Sequence, residues 1–357
     1  MTQPLHSRPP RVLGRGEKVQ LTDPKGRMHT FVLAPGEHFH TNKGLISHDD
    51  IIGRTEGIIV ANSGGVDFQV FRPRYEDFVL SMPRGAAVVY PKDSGLIVTL
   101  GDIFPGSVVV EAGVGSGALS MALLRAVGAG GSVHSFELRE EFATIAAGNI
   151  ADFFDGEPEN WSVTVGDLAE TLPQTFGPGS VDRVVLDMLT PWNTLQAVSE
   201  ALTPGGIVIA YVATVPQLSR FVEALRASGR FAEPESMEAM VRGWHVDGLA
   251  VRPDHRMIAH TGFLIMARRM ADGISPLEKK KRPQGATAAA EDVAAWTGPE
   301  VTEAAIGTRT AHGKKLRRVM REAGRRLRDE PEGSGETPTT DVTDSPTDTS
   351  TGPKEDR

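Results

Sequence analysis

Residues 108–119 read Val-Val-Val-Glu-Ala-Gly-Val-Gly-Ser-Gly-Ala-Leu. An apolar run enters a glycine-rich turn, and a helix-forming stretch follows. Gly113, Gly115 and Gly117 let the backbone turn tightly and approach a ligand closely. Amides at the start of the next helix then face an anionic or polar group. Acids recur at the ends of the apolar runs that follow: Glu137 after 132–136, Asp167 after 161–165 and Asp187 after 183–186. An acid about 20 residues beyond the turn suits ribose hydroxyls. A second acid, at the next strand end, suits the amino group of an adenine. Acids at successive strand ends ring the crevice where doubly wound sheets take their ligands. Any one of them is as readily a helix N-cap, and for Asp167 alone the two readings weigh the same. Three in register favour a site for a nucleoside-bearing cofactor.

The turn by itself leaves two cofactors open. Gly113-x-Gly115-x-x-Ala118 satisfies the dinucleotide fingerprint. Glu111-x-Gly113-x-Gly115-x-Gly117 satisfies the pattern of methyltransferases that bind S-adenosyl-L-methionine.

The elements that must position these residues can be read from hydrophobic patterning. Apolar runs at 107–110, 132–136, 161–165, 183–186, 207–212 and 263–267 alternate with helical patterns at 118–127, 140–153, 192–202 and 217–227. Such alternation predicts a parallel α/β sheet with helices on both faces, and Val/Ile-rich runs suit doubly covered strands. Residues 232–249 and 261–269 follow one another without a clear helix between them, which predicts a terminal hairpin with an antiparallel last strand. Upstream, short strands at 18–22, 30–33, 57–61 and 67–72 are separated by turn signals such as Asp23-Pro24-Lys25-Gly26 and Asn62-Ser63-Gly64-Gly65. They predict a small β-domain, a barrel being one form. The expected organisation is a flexible segment 1–16, a β-domain 17–75, a catalytic domain 76–270 and a largely disordered tail 271–357. Within the tail, 309–328 holds nine Lys/Arg against the single acid Glu322, with Leu316, Val319, Met320, Ala323 and Leu327 on one face of a helix. It reads either as a phosphate-binding arm or as a solvated charge run.

Composition bounds the function. The chain has 357 residues, 39% of them hydrophobic and 24% charged, so it can bury a core. No apolar run is long enough to span a membrane, and the N-terminus has no secretory pattern. The absence of cysteine excludes disulfides, thiolate catalysis and cysteine-ligated metal. It fits a cytoplasmic enzyme. The histidines show no ligand spacing, so no metal site is indicated. A net charge of -8 argues mildly against a polyanionic partner, although a local basic patch can sit on an acidic body.

Several further segments, in order, resemble the bacterial tRNA (adenine-N1)-methyltransferases that act on adenosine 58 of the T-loop. They are Met82-Pro83-Arg84-Gly85 with Tyr90-Pro91-Lys92-Asp93, the turn 110–119, Leu186-Asp187-Met188-Leu189-Thr190-Pro191-Trp192, Tyr211-Val212-Ala213-Thr214-Val215-Pro216, Arg252-Pro253-Asp254-His255-Arg256 and His260-Thr261-Gly262-Phe263-Leu264. The resemblance spans about 17–270, and the alphabet and length are most similar to actinobacterial members. It implies a seven-stranded, mostly parallel, Rossmann-like class I methyltransferase sheet with an antiparallel last strand. It also implies S-adenosyl-L-methionine as cofactor, tRNA as partner and a homotetramer. By position, Gly113 and Gly115 would bind the cofactor through the turn, and Ser116, Gly117, Ala118 and Leu119 would line its methionine and sulfonium end. Glu137 would hold the ribose, Phe142 would pack on the adenosine and Asp167 would meet the adenine. Asp187 would lie beside the methyl group and target base, Tyr90 would position that base, and His255 and Arg256 would approach the tRNA. For Tyr90 the plain alternative is a core tyrosine, and for His255 a surface loop residue. The competing functions are an NAD-dependent oxidoreductase, a methyltransferase with another RNA, protein or small-molecule substrate, and a noncatalytic RNA-binding subunit. The terminal antiparallel strand and the Asp187 motif disfavour the first; the intact turn with Glu137 and Asp187 disfavours the last.

Overall fold

The computed structural model describes residues 11–277 and 313–326, together with Glu291. The expected flexible N-terminus through residue 10 lies outside the described residues, as do 278–290, 292–312 and 327–357 of the tail, Leu327 included.

Six strands open the chain: β1 (Lys18–Thr22), β2 (Met28–Val32), β3 (His38–Thr41), β4 (Gly44–Ser47), β5 (Ile58–Ala61) and β6 (Asp67–Phe71). Alternation sets their register. In β6, Phe68 and Val70 point inward while Asp67, Gln69 and Phe71 face out. The result is an open antiparallel sheet of order β2-β1-β6-β5 with the β3–β4 hairpin beside it. Val19, Leu21, Ile46, Ile51 and Val70 form its own core. The barrel form is not adopted among the described residues. Lys18 of β1 pairs with Asp152 and lies 4.2 Å over the Phe78 ring, fastening this domain to the next.

Two helices, α1 (Tyr75–Ser81) and α2 (Pro91–Leu100), lead into the second sheet. Its parallel strands are β7 (Val108–Ala112), β8 (Ser132–Glu137), β9 (Trp161–Val165), β10 (Val181–Leu186) and β11 (Leu202–Val212). Helices α3 (Ala118–Val127), α4 (Glu140–Phe154), α5 (Leu168–Thr175), α6 (Leu195–Ala201) and α7 (Val215–Ser228) connect them. After α7 come β12 (Glu235–Met237), the hairpin β13 (Trp244–Asp247) and β14 (Ala250–Pro253), then β15 (Phe263–Arg268). The strand order is β12-β15-β11-β10-β7-β8-β9, with β15 antiparallel to both neighbours. This is the seven-stranded, mostly parallel sheet expected, with apolar cores on both faces. The expected terminal hairpin departs in one respect. Residues 232–249 are not one strand: the Ala232 amide donates to the Arg268 carbonyl and Glu235–Met237 pairs with β15, while Trp244–Pro253 folds away as a two-stranded ribbon.

The strand order reverses between β7 and β10. Crossovers leave in opposite directions there and open a crevice at the carboxyl ends. A cleft of about 400 Å³ at the amino end of the sheet, lined by Arg230, Arg269 and Asp272, is on the wrong side for that geometry. Arg269 is already spent there on the Ser199 carbonyl and Asp272. The last described helix, α8 (Gly313–Arg326), packs on α4. No helix among the described residues is long and apolar enough to cross a membrane.

Candidate active site

The turn after β7 is shaped by contacts that exclude side chains. Gly113 has φ 87°, and a Cβ there would fall 1.9 Å from the Asp187 carbonyl oxygen. The Gly113 amide donates to the Phe136 carbonyl, and the Asp187 amide donates to the Ala112 carbonyl at 2.8 Å. The turn, the end of β8 and the end of β10 are therefore sewn together by backbone. Gly115 donates its amide to Glu137 Oε2 at 3.2 Å, while Glu137 Oε1 accepts from the Arg139 amide. Gly117, in the left-handed region at φ 82°, starts α3.

The segment before α2 closes over this turn. Ser116, which is buried, accepts weakly from the Gly85 and Ala86 amides. Asn149 of α4 donates to the carbonyls of Pro83 and Ser116, tying both sides together. Tyr90 is the N-cap of α2 with Pro91 at the first helical position, and its ring is partly exposed. Behind Tyr90, Lys92 Nζ bonds Asp93 Oδ1 at 2.8 Å, Thr261 Oγ1 at 2.6 Å and the Ala239 carbonyl. Thr261 in turn donates to Asp93 Oδ2. This buried network fixes the start of α2 to the approach of β15. Lys92, Asp93 and Thr261 stand within the sequence motifs without a predicted role, because partners 168 residues apart leave no local signal.

The acids do different things. Asp187 is half-buried as a residue, and burial of its carboxyl, with the Glu137 charge adding, pushes its pKa up to about 7. Glu111 is fully buried; Oε2 accepts from Ser120 and Ser135 at 2.6 and 2.7 Å, and Oε1 has no hydrogen-bond partner. Burial pushes it, too, up to about 7, the two hydroxyls working against that and the charges of Asp187 and Glu137 adding to it. Glu111 was part of the motif but not among the expected site residues; being the first position of the pattern was the signal. Asp167 is exposed and caps α5, its carboxylate accepting from the Ala169 amide at 2.7 Å. The N-cap alternative is thus realised.

Phe142 is buried at the start of α4, with the Arg139 guanidinium 4.0 Å over its ring. It packs with Ile145, Ala86 and Val319. Ala118 and Leu119 are buried in the first turn of α3. His255 and Arg256 are exposed in the loop after β14, where Arg252 approaches His255 Nε2 at 3.5 Å. The fold brings Gly113, Gly115, Ser116, Gly117, Glu137 and Asp187 together; Phe142 packs on the Gly85–Ala86 segment whose amides reach Ser116, and Tyr90 starts α2 just after that segment. His255 and Arg256 make no contact with that cluster.

The donor set fits S-adenosyl-L-methionine. A cradle without side chains at Gly113 and a carboxylate at Glu137 suit a ligand carrying a ribose, and beneath them Glu111 keeps one buried carboxyl oxygen without a hydrogen-bond partner.

Comparison with known proteins agrees. Residues 12–60 match the TrmI-like N-terminal family, and residues 68–252 match the family described as tRNA methyltransferase complex GCD14 subunit. The tRNA (adenine(58)-N(1))-methyltransferase TrmI of Thermus thermophilus is 34% identical over 249 residues, 70% of this chain and 95% of the relative. The crystal structure of a SAM-dependent O-methyltransferase from Thermotoga maritima superposes with TM-score 0.68 at 31% identity, covering 73% of this chain and 95% of that one. That of tRNA (m1A58) methyltransferase TrmI from Aquifex aeolicus gives TM-score 0.64 at 27% identity, covering 73% and 100%.

Proposed function

Belonging as it does to the TrmI family of tRNA (adenine58-N1)-methyltransferases, this chain has its reaction set, and we propose which of its residues carry each part of it. The enzyme transfers the methyl group of S-adenosyl-L-methionine to N1 of adenosine 58 in tRNA. The observation that carries the assignment of roles is the convergence of Glu137, Asp187 and the glycine turn on one crevice.

The cofactor supplies an activated sulfonium methyl when bound. The protein supplies position and electrostatics. Glu137 holds the ribose hydroxyls, Asp167 meets the adenine through the oxygen not used in capping, and Phe142 lines the adenosine side. Gly113, Gly115, Ser116, Gly117, Ala118 and Leu119 line the methionine end, where Glu111 adds a carboxyl beneath. Adenine N1 attacks with an in-plane lone pair, so no base must first remove a proton. Methylation makes the ring cationic and its exocyclic amine more acidic. Asp187, as carboxylate, accepts a hydrogen bond from that amine and stabilises the developing charge. With its pKa near 7 it also takes the proton that the amine gives up. Tyr90, held by the Lys92–Asp93–Thr261 network, positions the base. His255 and Arg256, exposed on their loop, approach the tRNA.

The division into a β-domain 17–75 and a catalytic domain 76–270 is part of this proposal. So is a homotetramer acting in the cytoplasm. The β13–β14 ribbon supports self-association: Trp244, Val246, Leu249 and Val251 are all exposed, an apolar patch that isolated monomers rarely carry.

The test is methyl transfer from labelled cofactor to unmodified tRNA, with nucleoside analysis. The expected product is 1-methyladenosine, lost in a transcript lacking adenosine 58. A ribose-methylated nucleoside instead, in keeping with the O-methyltransferase name of the Thermotoga relative, would overturn the assigned roles of Asp187 and Tyr90.

A further inference from the structure

We propose that the exposed basic face of α8 binds the phosphate backbone of tRNA at the rim of the cofactor crevice. The inference rests on the tRNA methyltransferase assignment. It concerns a segment beyond both family matches, the second of which ends at residue 252.

α8 reads Gly-Lys-Lys-Leu-Arg-Arg-Val-Met-Arg-Glu-Ala-Gly-Arg-Arg: seven Lys/Arg and one acid, in a chain whose net charge is -8. Its two faces do different work. Val319 and Ala323, each 3% exposed, point inward with Leu316 and Met320 against Phe142 and Ile145 of α4 and against Ala86. The fit is close. A Cβ on Gly148 of α4 would lie 2.6 Å from the Ala323 Cβ, so only a glycine lets the helices approach to this distance. Glycine inside a helix costs about 1 kcal/mol relative to alanine, a cost that the docking offsets.

The outward face carries Lys314, Lys315, Arg317, Arg318 and Arg321, all exposed. Arg318 is 3.8 Å from Glu322, the one acid of the helix. Lys314, Arg317, Arg318 and Arg321 follow one another at spacings of three and four, where like charges repel by about 0.2–0.5 kcal/mol per pair. A face that repels itself is stabilised by an anion spread over the same length, and the substrate is a polyanion.

Position strengthens the case. The residues that receive α8 adjoin the turn: Phe142 packs against Gly85 and Ala86, whose amides donate to Ser116. Phosphates held on α8 therefore lie beside the place where the target base must enter. An anionic membrane is the poorer partner. A helix that lies on a bilayer inserts its apolar face, and here that face is occupied by α4.

The experiment measures binding of fluorescein-labelled unmodified tRNA to the full chain across a salt series. It compares the parent with Lys314→Gln/Arg317→Gln/Arg321→Gln and with the charge-retaining Lys314→Arg/Arg317→Lys/Arg321→Lys. Loss of three phosphate contacts lowers the slope of log K against log salt by about 2–3 and weakens binding about tenfold or more. Cofactor affinity and sedimentation stay unchanged, and the charge-retaining variant matches the parent. An unchanged slope in the neutralised variant overturns the inference. So does equal weakening by both variants, or a smaller sedimenting particle, which would assign this face to a subunit contact. A parent that binds no tRNA overturns the tRNA assignment itself and the inference with it; parent and variant binding tRNA alike overturns the inference alone.

Discussion

Replacing Glu111 by glutamine separates the charge of this carboxyl from its shape. In the folded chain it is buried beneath the turn, and its pKa is lifted from 4.5 to about 7. The unfolded chain ionises the same group near 4.5. Between those values the folded protein keeps a proton that the unfolded chain has lost. This contribution to stability is therefore full below about pH 4.5 and is lost as pH rises through about 7. At ~1.4 kcal/mol per pH unit the complete loss is about 3 kcal/mol, and about 2–3 kcal/mol of it falls between pH 5 and pH 8. The side-chain amide introduced by E111Q puts a donor where Oε1 has no partner, which adds a penalty of about 1–3 kcal/mol. That penalty does not vary with pH. Asp187 titrates in the same range and its charge is one cause of the Glu111 shift, so the difference between the two proteins reads that shift with the Asp187 contribution included. The assay is urea unfolding of parent and E111Q at both pH values and one protein concentration. The parent-minus-variant difference should shrink by about 2–3 kcal/mol from pH 5 to pH 8. Parallel pH–stability curves would refute the account of Glu111 as a carboxyl held neutral by burial.

Two further outcomes follow from the site. Asp187→Asn should lower kcat by about 10²–10³ while the cofactor Kd, read by calorimetry, changes little. The parent kcat/KM should rise with pH through about 7 and that of the variant should be flat; near-normal turnover would remove Asp187 from its role. Lys92→Met should cost about 3–5 kcal/mol by leaving Asp93 buried beside no cation, and Lys92→Met/Asp93→Asn should recover much of that loss in thermal unfolding. A double variant no more stable than the single one would show that the pair is not what holds α2.

The sheet was legible because its strands are Val/Ile runs bounded by turn residues, and the glycine turn announced where the crevice lies. The helices α1 and α2 were not, since residues 75–100 mix apolar and polar residues without a clear period; Pro91 at the first turn of α2 was the available mark. The ribbon 244–253 does not show in the run 232–249, which ends inside it, although Asp247-Gly248 is a turn signal. Within the site, Glu137 and Asp187 could be found because strand ends are local features. The Lys92–Thr261 contact could not, because it exists only once β15 is in place. For α8 the stripe of Leu316, Val319, Met320 and Ala323 was visible, but its landing site depends on Gly148, which reads in isolation as a weak spot in a helix.

The place of β15 has a consequence for synthesis. It is the last strand made among the described residues, yet it lies inside the sheet, between β11 and β12. While the nascent chain is shorter than about 268 residues, the apolar edge of β11 is unpaired and β12 has no neighbour to join. The same segment brings Thr261 to Lys92 and Asp93. A ribosome-bound intermediate thus owns the glycine turn and both acids before it owns the brace behind Tyr90. Its open edge is a template for pairing with other chains, so the interval in which the enzyme is unfinished is also the interval in which it most needs a chaperone.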